Sequence, residues 1–563
     1  MAPMPNVADV LVVGLGAVGS AALYQSAKLG ARAIGIDRFD PPHDQGSSHG
    51  DTRITREAIG EGREFVPLVL RSNRIWEELE AATGRSLLTR NGGLVLASPS
   101  MPGNHHGSTS FIQDTIAAAT EFGIAHEVLS AGELRHRYPQ FRLRGDEIGY
   151  FEPGAGFLRP EACIETQLAL ARKLGARVVT SETVVDCKPV QGGTVEVTTG
   201  TGTYSAARVI VTAGPWIQKL LGESYAADFK IYRQVMYWFA LANHAEQYTP
   251  ERFPVFIWIA GNRPRDMMYG FPAVDGPHGG IKIAAEQYDA TVDPDAVPRE
   301  VSDKEISAMH TEYIAPHFPG VSGECLRTAT CLYTVTPDAK FIVDRFRNYE
   351  NIVFASACSG HGFKHSAALG EALALQALGR PSRIDLSGFS ARRFARAADG
   401  KTAVHPKIVQ LDGFEVVGIA ARTNNAKEAG PDGVIPKLWQ RVMQEHVFDH
   451  VPDKIDADLY AVYTDYASDA NGDYTLVLGA KVRPETNPPA GMISKAVPAG
   501  RYAVFTSERG PVAKVVVETW KRIWTYYESP ANGQRAYGAD FEVYDQCAAD
   551  PNNAQVDIYI GVK

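Results

Sequence analysis

The stretch Asp9-Val-Leu-Val-Val-Gly14-Leu-Gly16-Ala-Val-Gly19, followed after a helical run to Leu29 by Ala33-Ile-Gly-Ile-Asp37, reads as strand, tight turn, helix and second strand. Glycines at 14, 16 and 19 let the backbone of such a turn approach a pyrophosphate, and the helix N-terminus adds positive potential. Asp37 closes the second strand, where an acidic side chain can take a ribose hydroxyl. A glycine-rich turn that only packs tightly is the rival reading. The acid in the matching position favours a bound dinucleotide.

Working outward, Val209 to Thr212 forms another strand-like run that ends in Ala213-Gly214-Pro215-Trp216, placing small residues where a returning strand would pass the cofactor. Strand-like segments such as Gly92 to Ala97 and Arg177 to Val179 alternate with helical ones such as Glu161 to Lys173. This pattern predicts an interleaved α/β chain in which the cofactor domain returns several times. Composition shifts after Leu386, and the basic run Ala391 to Gly400 reads as a helix end entering a linker, here placed at 393–404. Beyond it Val416-Val-Gly-Ile resembles Tyr502-Ala-Val-Phe, a helix with Trp439 resembles one with Trp524, and Leu478-Gly-Ala-Lys481 matches Ile560-Gly-Val-Lys563. Two halves, each strand, helix, strand, strand, predict a pseudo-two-fold α+β domain over 405–563 with a groove between them.

The 563 residues suffice for three or four domain-sized units, at roughly 150 residues each. With 45% hydrophobic and 21% charged residues the chain is an ordinary globular one. Its 56 basic residues against 65 acidic ones leave a net charge of -9, which argues against nucleic acid as a partner. Cysteines at 163, 187, 325, 331, 358 and 547 show no metal-ligand or disulfide-framework spacing, so no metal is expected. The apolar run at Val10 to Val13 is broken by glycines and lacks a charged leader, and no stretch has the roughly 20 apolar residues of a membrane helix. The expectation is a cytoplasmic protein without a membrane partner.

Residues suited to chemistry cluster in three places. Gly46-Ser-Ser-His-Gly-Asp-Thr-Arg-Ile-Thr-Arg56 follows the first cofactor unit and presents Arg53 and Arg56, whose guanidinium forks match carboxylates. Cys331-Leu-Tyr-Thr-Val-Thr-Pro-Asp338 precedes an apolar strand, Phe341 to Val343. Ser359-Gly-His-Gly-Phe-Lys364 opens a helix through Leu375 with a small-residue turn suited to an anionic ligand. Read singly, these are a solvated loop, a buried thiol and a helix start.

Together with Asp37-Arg-Phe-Asp-Pro-Pro-His43, Gly60-Glu-Gly-Arg-Glu64 and Tyr269-Gly-Phe-Pro272, and in this order, they resemble the monomeric sarcosine oxidase and N-methyl-amino-acid (N-methyltryptophan) oxidase family of the D-amino acid oxidase group, over about residues 9 to 390. The resemblance implies FAD, attached through a thioether from Cys331 to a methyl group on the benzene edge of the flavin, with the thiolate as the reacting species. It implies cofactor contacts from Gly14, Gly16, Gly19, Asp37, Arg38, Ser47, Thr52, Gly214, Gly360 and Gly362. Arg56 and Lys364 would hold the substrate carboxylate. The amine, made neutral by desolvation and nearby cations, would give hydride to the flavin, and the imine would hydrolyse, releasing formaldehyde from an N-methyl group. Lys282, in Gly279-Gly-Ile-Lys-Ile-Ala-Ala-Glu-Gln-Tyr288, would be the fixed cation that assists reduction of oxygen to hydrogen peroxide. A lysine pointing to solvent from a half-buried strand is its alternative. Arg53, Tyr269 and Tyr333 complete the catalytic set. Where sarcosine oxidases have a histidine four residues after this lysine, the chain has Glu286, which could bind a second amine or a polar side chain. Met267, Met268 and Tyr269 suggest a wall roomier than a glycine-sized substrate needs.

Residues 405–563 resemble the GyrI-like effector-binding domains of multidrug-responsive regulators, through Tyr460-Ala-Val-Tyr-Thr-Asp-Tyr466, Pro498-Ala-Gly-Arg-Tyr-Ala-Val-Phe505, Glu518-Thr-Trp520, Trp524 and Asp540-Phe-Glu-Val-Tyr-Asp545. The resemblance implies a ligand pocket for an amphipathic, often cationic molecule with Glu542 as its acid and Trp439, Trp520 and Tyr463 as walls. The expected fold is thus α/β, a FAD-binding Rossmann-like domain interleaved with an α+β substrate domain over 1–392, followed by the pseudo-two-fold unit. The leading function is flavin-dependent oxidation of a secondary amine. Its rivals are a catalytically silent small-molecule sensor, a flavin amino-acid dehydrogenase that does not use oxygen, and a nicotinamide dehydrogenase in which Cys331 would have no purpose.

Overall fold

The computed structural model of the protein describes residues 6–99, 106, 108, 110–190, 193–222, 228–261, 264–346, 349–394, 396–397, 401–402, 406–428, 430, 433–470, 472–507, 509–528, 534–548 and 550–563. The chain divides into two compact units, Met1–Ala391 and Arg392–Lys563.

In the first unit, strand Val7–Val13 runs parallel between Ala33–Ile36 and Thr203–Val211, with Arg177–Val179 beyond the one and Ile352–Ser356 beyond the other. Valine and isoleucine fill both faces of these strands, the pattern of a parallel sheet covered on two sides. Helix Ala17–Lys28 packs on helix Ser366–Ala377 so closely that a Cβ on Gly370 would lie 2.4 Å from the Ala21 methyl. The final helix of the unit thereby returns to the first.

A second sheet of eight strands is assembled from Gly93–Ala97, Glu127–Leu129, Ile148–Glu152, Lys230–Leu241, Val255–Ile259, Met267–Phe271, Ile281–Ala285 and Val321–Val335. One face of it covers an aromatic cluster of Phe141, Phe253, Phe256, Trp258 and Phe318, all buried. The chain alternates between the two sheets, as the sequence pattern predicted. A small third sheet pairs Arg53–Thr55 and Leu88–Thr89 with Gly156–Leu158. It carries the arginine-bearing loop to the mouth of the nucleotide sheet.

The second unit is built on an antiparallel sheet of eight strands. Each half contributes the expected strand, helix, strand, strand, but each also opens with an extra short strand that joins the other half. Lys407–Leu411 pairs with Gly500–Thr506, and Ile493–Val497 pairs with Phe414–Thr423. The halves meet in the middle through Lys454–Thr464 and Arg535–Tyr544. Helices Ile435–Gln444 and Val512–Glu528 bring Leu438, Val442 and Ile523 into its buried clusters. The basic run after Ala391 opens with a short helical segment. Its described part is a 3-10 turn, Ala391–Phe394, and a short pairing of Arg396–Ala397 with Lys401–Thr402. The remaining positions of the 393–404 linker, 395, 398–400 and 403–404, lie outside the described residues.

Candidate functional site

The C-terminal ends of the parallel strands open into a cavity of about 570 Å³ that runs on beneath the second sheet. Its floor is the glycine turn. Gly14 adopts φ +83°, and a Cβ there would lie 2.6 Å from the Thr212 carbonyl oxygen, so only glycine lets strand and turn approach. Gly19 is closer still: its Cβ would fall 1.7 Å from the Gly14 oxygen. The helix that follows has Gly16 as N-cap, no side-chain cap and no acid in its first turn, so its leading N–H groups have no side-chain acceptor. Asp37 lines the cavity and fixes the turn by accepting from the amides of Leu15 (2.6 Å) and Phe39 (2.8 Å). Arg38 pairs with Asp295 at 2.5 Å, an acid that also takes the indole N–H of Trp216 at 2.7 Å and the Lys219 ammonium at 2.6 Å. These groups, with Gly214, frame the outer end of the cavity.

Further in, Ser47, Arg53, Cys331, Tyr333, Cys358, Gly360 and Gly362 line the wall. Ser47 Oγ donates to the Leu332 carbonyl at 2.5 Å, and Arg53 donates to the carbonyls of Ser47 (2.7 Å) and Thr52 (2.8 Å). Cys331 is fully buried; burial raises its pKa and the Arg53 charge opposes that rise. The cradle of close-packed glycines, the uncapped helix start and the thiol in the wall fit a flavin dinucleotide.

At the far end the structure brings together Arg56, Lys364, Glu286, Tyr269 and Tyr333, and adds Glu61, His106 and His361. Arg56 donates to the Glu61 carboxylate at 2.5 Å and to the Ala58 carbonyl at 2.5 Å. Burial works to raise Glu61, but Arg56 and Lys364 hold it well below the usual carboxylate range. Lys364 Nζ donates to the His361 carbonyl at 2.8 Å, and burial brings its pKa down to about 7 against the pull of Glu61. Glu286 is engaged by Tyr288 Oη (2.5 Å) and His106 Nε2 (3.1 Å). Burial alone would lower His106, yet Glu286 and Glu61 raise it to about 9. The hydroxyls of Tyr269 and Tyr333 lie 3.2 Å apart. Gly360 makes room for the group: a Cβ there would stand 2.9 Å from His106 Nε2 and 3.0 Å from Glu286 Oε1.

Lys282 does not point to solvent. Its ammonium is buried against the Phe271 ring (4.0 Å to the centroid) and donates to the carbonyls of Gly50 (2.8 Å) and Thr52 (2.7 Å). Thr52 contacts it through the backbone, and among the described residues the buried Thr52 hydroxyl has no hydrogen-bond partner. Burial first, and Arg53 second, pull Lys282 well below the ordinary lysine range.

In the second unit Glu542 lies on a central strand opposite Ala461 and is buried. It accepts from Tyr463 Oη (2.8 Å), Trp520 Nε1 (2.6 Å) and Tyr544 Oη (2.6 Å), all neutral donors. The Trp439 ring packs on Tyr544 at 4.9 Å, so the four expected residues converge. Burial raises Glu542, and the three hydrogen bonds oppose the rise.

Residues 9–376 match the family of FAD dependent oxidoreductases. The chain belongs to that family. Within this FAD-dependent family it is 36% identical over 390 residues to a monomeric sarcosine oxidase of Streptomyces avermitilis, covering 69% of this chain and 98% of the relative. It is 37% identical to the corresponding enzyme of a Bacillus species (68% and 96%) and 35% identical to an N-methyl-L-tryptophan oxidase of Yersinia pestis (69% and 99%). The fold is that of NikD, an amino acid oxidase of nikkomycin biosynthesis, in its open form: TM-score 0.59, 24% identity, covering 71% of this chain and 98% of NikD. Residues 407–562 match the integron-associated effector binding proteins, in keeping with the GyrI-like resemblance. No helix among the described residues is long and apolar enough to cross a membrane.

Sequence reasoning missed Glu61, His106 and His361 as site residues. Glu61 and His361 sat inside quoted blocks with no role attached, whereas His106 lies in a stretch without periodicity or motif. His49, outside the cavity lining, and His361 are buried, and burial lowers each to about 3. Between about pH 6.5 and 3 the unfolded chain takes up protons at these positions that the folded chain refuses, so stability falls on acidification, by about 1.4 kcal/mol per pH unit per histidine. Urea unfolding at pH 6.5 and 5 is expected to show a smaller acid loss for His361→Gln than for the parent chain. Equal losses would contradict the assignment.

Proposed function

We propose that residues 1–392 form an FAD-dependent amine oxidase acting on the CH–NH bond of an N-methyl or N-alkyl amino acid, joined through 393–404 to a small-molecule-binding domain, 405–563. The observation that carries this reading is the buried basic pair, Arg56 and Lys364, at the inner end of a cavity whose outer end is a dinucleotide cradle. The likeness to sarcosine and N-methyltryptophan oxidases at 35–37% identity supports it. In the overall reaction a secondary amine, oxygen and water become a primary amine, an aldehyde and hydrogen peroxide.

FAD supplies the two-electron acceptor, and Gly14, Gly16, Gly19, Asp37, Arg38, Ser47, Thr52, Gly214, Gly360 and Gly362 would hold it, with Cys331 as the covalent tether. Arg56 and Lys364 bind the substrate carboxylate, which orients the amine. Arg56 is pre-aimed by Glu61 and the Ala58 carbonyl, so little rotamer freedom is lost on binding. A carboxylate arriving beside Lys364 favours its charged form, so binding draws a proton onto Nζ. With Arg56, Lys364 and protonated His106 around it, the substrate amine is held neutral and its lone pair is free to assist hydride departure. Tyr269 and Tyr333 wall the reacting centre and exclude water. Lys282 places positive charge behind Phe271 and Arg53, where charge develops on oxygen. His106 already holds Glu286, so the space beside them suits a substrate side chain that can hydrogen-bond to this pair.

In the second unit we read Glu542 as the acid for an amphipathic cation. Its three partners carry no charge, and a cationic ligand between Trp439 and Trp520 would stabilise its ionised form.

The oxidase reading is tested by oxygen consumption and peroxide release with sarcosine and larger N-alkyl amino acids; a fully FAD-loaded chain that produces no peroxide with any of them would refute it. Acid precipitation is expected to give a yellow pellet for the parent chain and a colourless one for Cys331→Ser. Acetate, a carboxylate without an amine, should inhibit with an affinity that falls about tenfold per pH unit above pH 7, because Lys364 must be protonated to bind it. Lys364→Met should bind acetate weakly with no such dependence. For the second unit, Glu542→Gln should weaken binding of a lipophilic cation such as tetraphenylphosphonium at least tenfold by calorimetry while leaving oxidase turnover unchanged.

A further inference from the structure

Among the described residues no carboxylate touches the buried Lys282 ammonium, and it donates to two backbone carbonyls of one tight turn. That turn is conformationally costly. Gly50 and the non-glycine Asp51 both have positive φ, +93° and +68°, and the Thr52 amide folds back onto the Gly50 oxygen at 2.8 Å. A Cβ on Gly50 would lie 2.6 Å from the Met236 methyl, so the turn is also sterically confined.

What holds the turn is Glu161, in the first turn of helix Pro160–Lys173. One oxygen of its carboxylate accepts from the amides of Gly50 (2.6 Å) and Asp51 (3.2 Å). The Asp51 N–H and the Gly50 carbonyl belong to the same peptide group. A single polarised unit therefore runs from the Glu161 carboxylate, through the Asp51 N–H and the Gly50 carbonyl, to the Lys282 ammonium. Asp51 itself is drawn outward by an ion pair with Arg327, whose guanidinium lies over the Trp238 ring at 3.9 Å.

We infer that Glu161 is the positioning residue for Lys282, acting as its counter-charge at one peptide's remove. A carboxylate in direct contact would stabilise the ammonium but cancel its field; placed behind a peptide plane, the acid orients the carbonyl that receives the proton donor and leaves the cation's outward field intact. This inference rests on the reading of Lys282 as the cation that assists oxygen reduction. The charged and titratable groups around Lys282 are Arg53, which lowers it, and Asp51, Glu161 and, while its thiol is free, Cys331, which raise it, with His49 and Arg327 in the surrounding shell. Removal of the Glu161 charge should therefore make Lys282 lose its proton at lower pH.

The test uses the full-length, FAD-loaded chain in stopped-flow, reduced anaerobically by substrate and then mixed with oxygen. For Glu161→Gln, flavin reduction by substrate should be unchanged within twofold, while reoxidation by oxygen slows about tenfold, the low end of what outer partners of a catalytic group contribute. The pH at which reoxidation is half-lost should fall, and Glu161→Asp should restore part of the rate. Hydrogen exchange at the Gly50 and Asp51 amides, followed in the cofactor-free chain, should quicken in Glu161→Gln. Glu165→Gln, one turn along the same helix and paired with Arg85 at 2.6 Å, should change none of these. If Lys282→Met slows reoxidation but Glu161→Gln does not, or if Glu161→Gln slows reduction equally, the positioning role is overturned. If Lys282→Met itself leaves reoxidation unchanged, the underlying reading of Lys282 fails instead.

Discussion

Charge taken into a dry interior has to be compensated within a few ångströms, and the inner end of the large cavity is organised around that constraint. Arg56 meets Glu61, Glu61 lies near His106, His106 meets Glu286, and Glu286 takes a hydrogen bond from Tyr288. Every anion in this row has a cation beside it, so the row needs no substrate to be stable. Lys364 is the exception. Its contact is a carbonyl, and it has lost most of the affinity for its proton that a lysine in water has. On the proposed reading, an anion that enters with a proton would bring the site to balance at full charge.

The same constraint explains the separation between the two ends of the site. Arg56 and Lys364, the proposed carboxylate partners, line the cavity. Lys282 is held, among the described residues, by carbonyls and aromatic faces, between Phe271 and Trp238. One lysine is adjusted by what binds and the other by what holds it. Both come from the same sequence type, a lone lysine among small or apolar residues, and neighbouring elements decide which is which.

Much of the fold was legible because its signals are local. The turn at Gly14 to Gly19 requires glycine for steric reasons that act over a few residues, and the acid at 37 sits at a fixed offset from it. Alternation of strand and helix likewise exposed the return of the chain to the nucleotide sheet. What stayed hidden was long-range. Glu161 reads as an ordinary acid near a helix start, and only the fold brings it to the amides of residues 50 and 51. His106 lies 180 residues from Glu286 and has no motif around it. The extra strands Lys407–Leu411 and Ile493–Val497 escaped notice because their partners belong to the other half of the repeat, which periodicity within one half cannot reveal.

Those two strands make the halves of the C-terminal unit interdependent. Each half lends its leading strand to the far edge of its twin, so a half cut out on its own would keep a bare edge on Phe414–Thr423 or Gly500–Thr506 and a loose segment with nothing to pair against. Because both halves lie in one chain, this mutual pairing is intramolecular and does not depend on concentration.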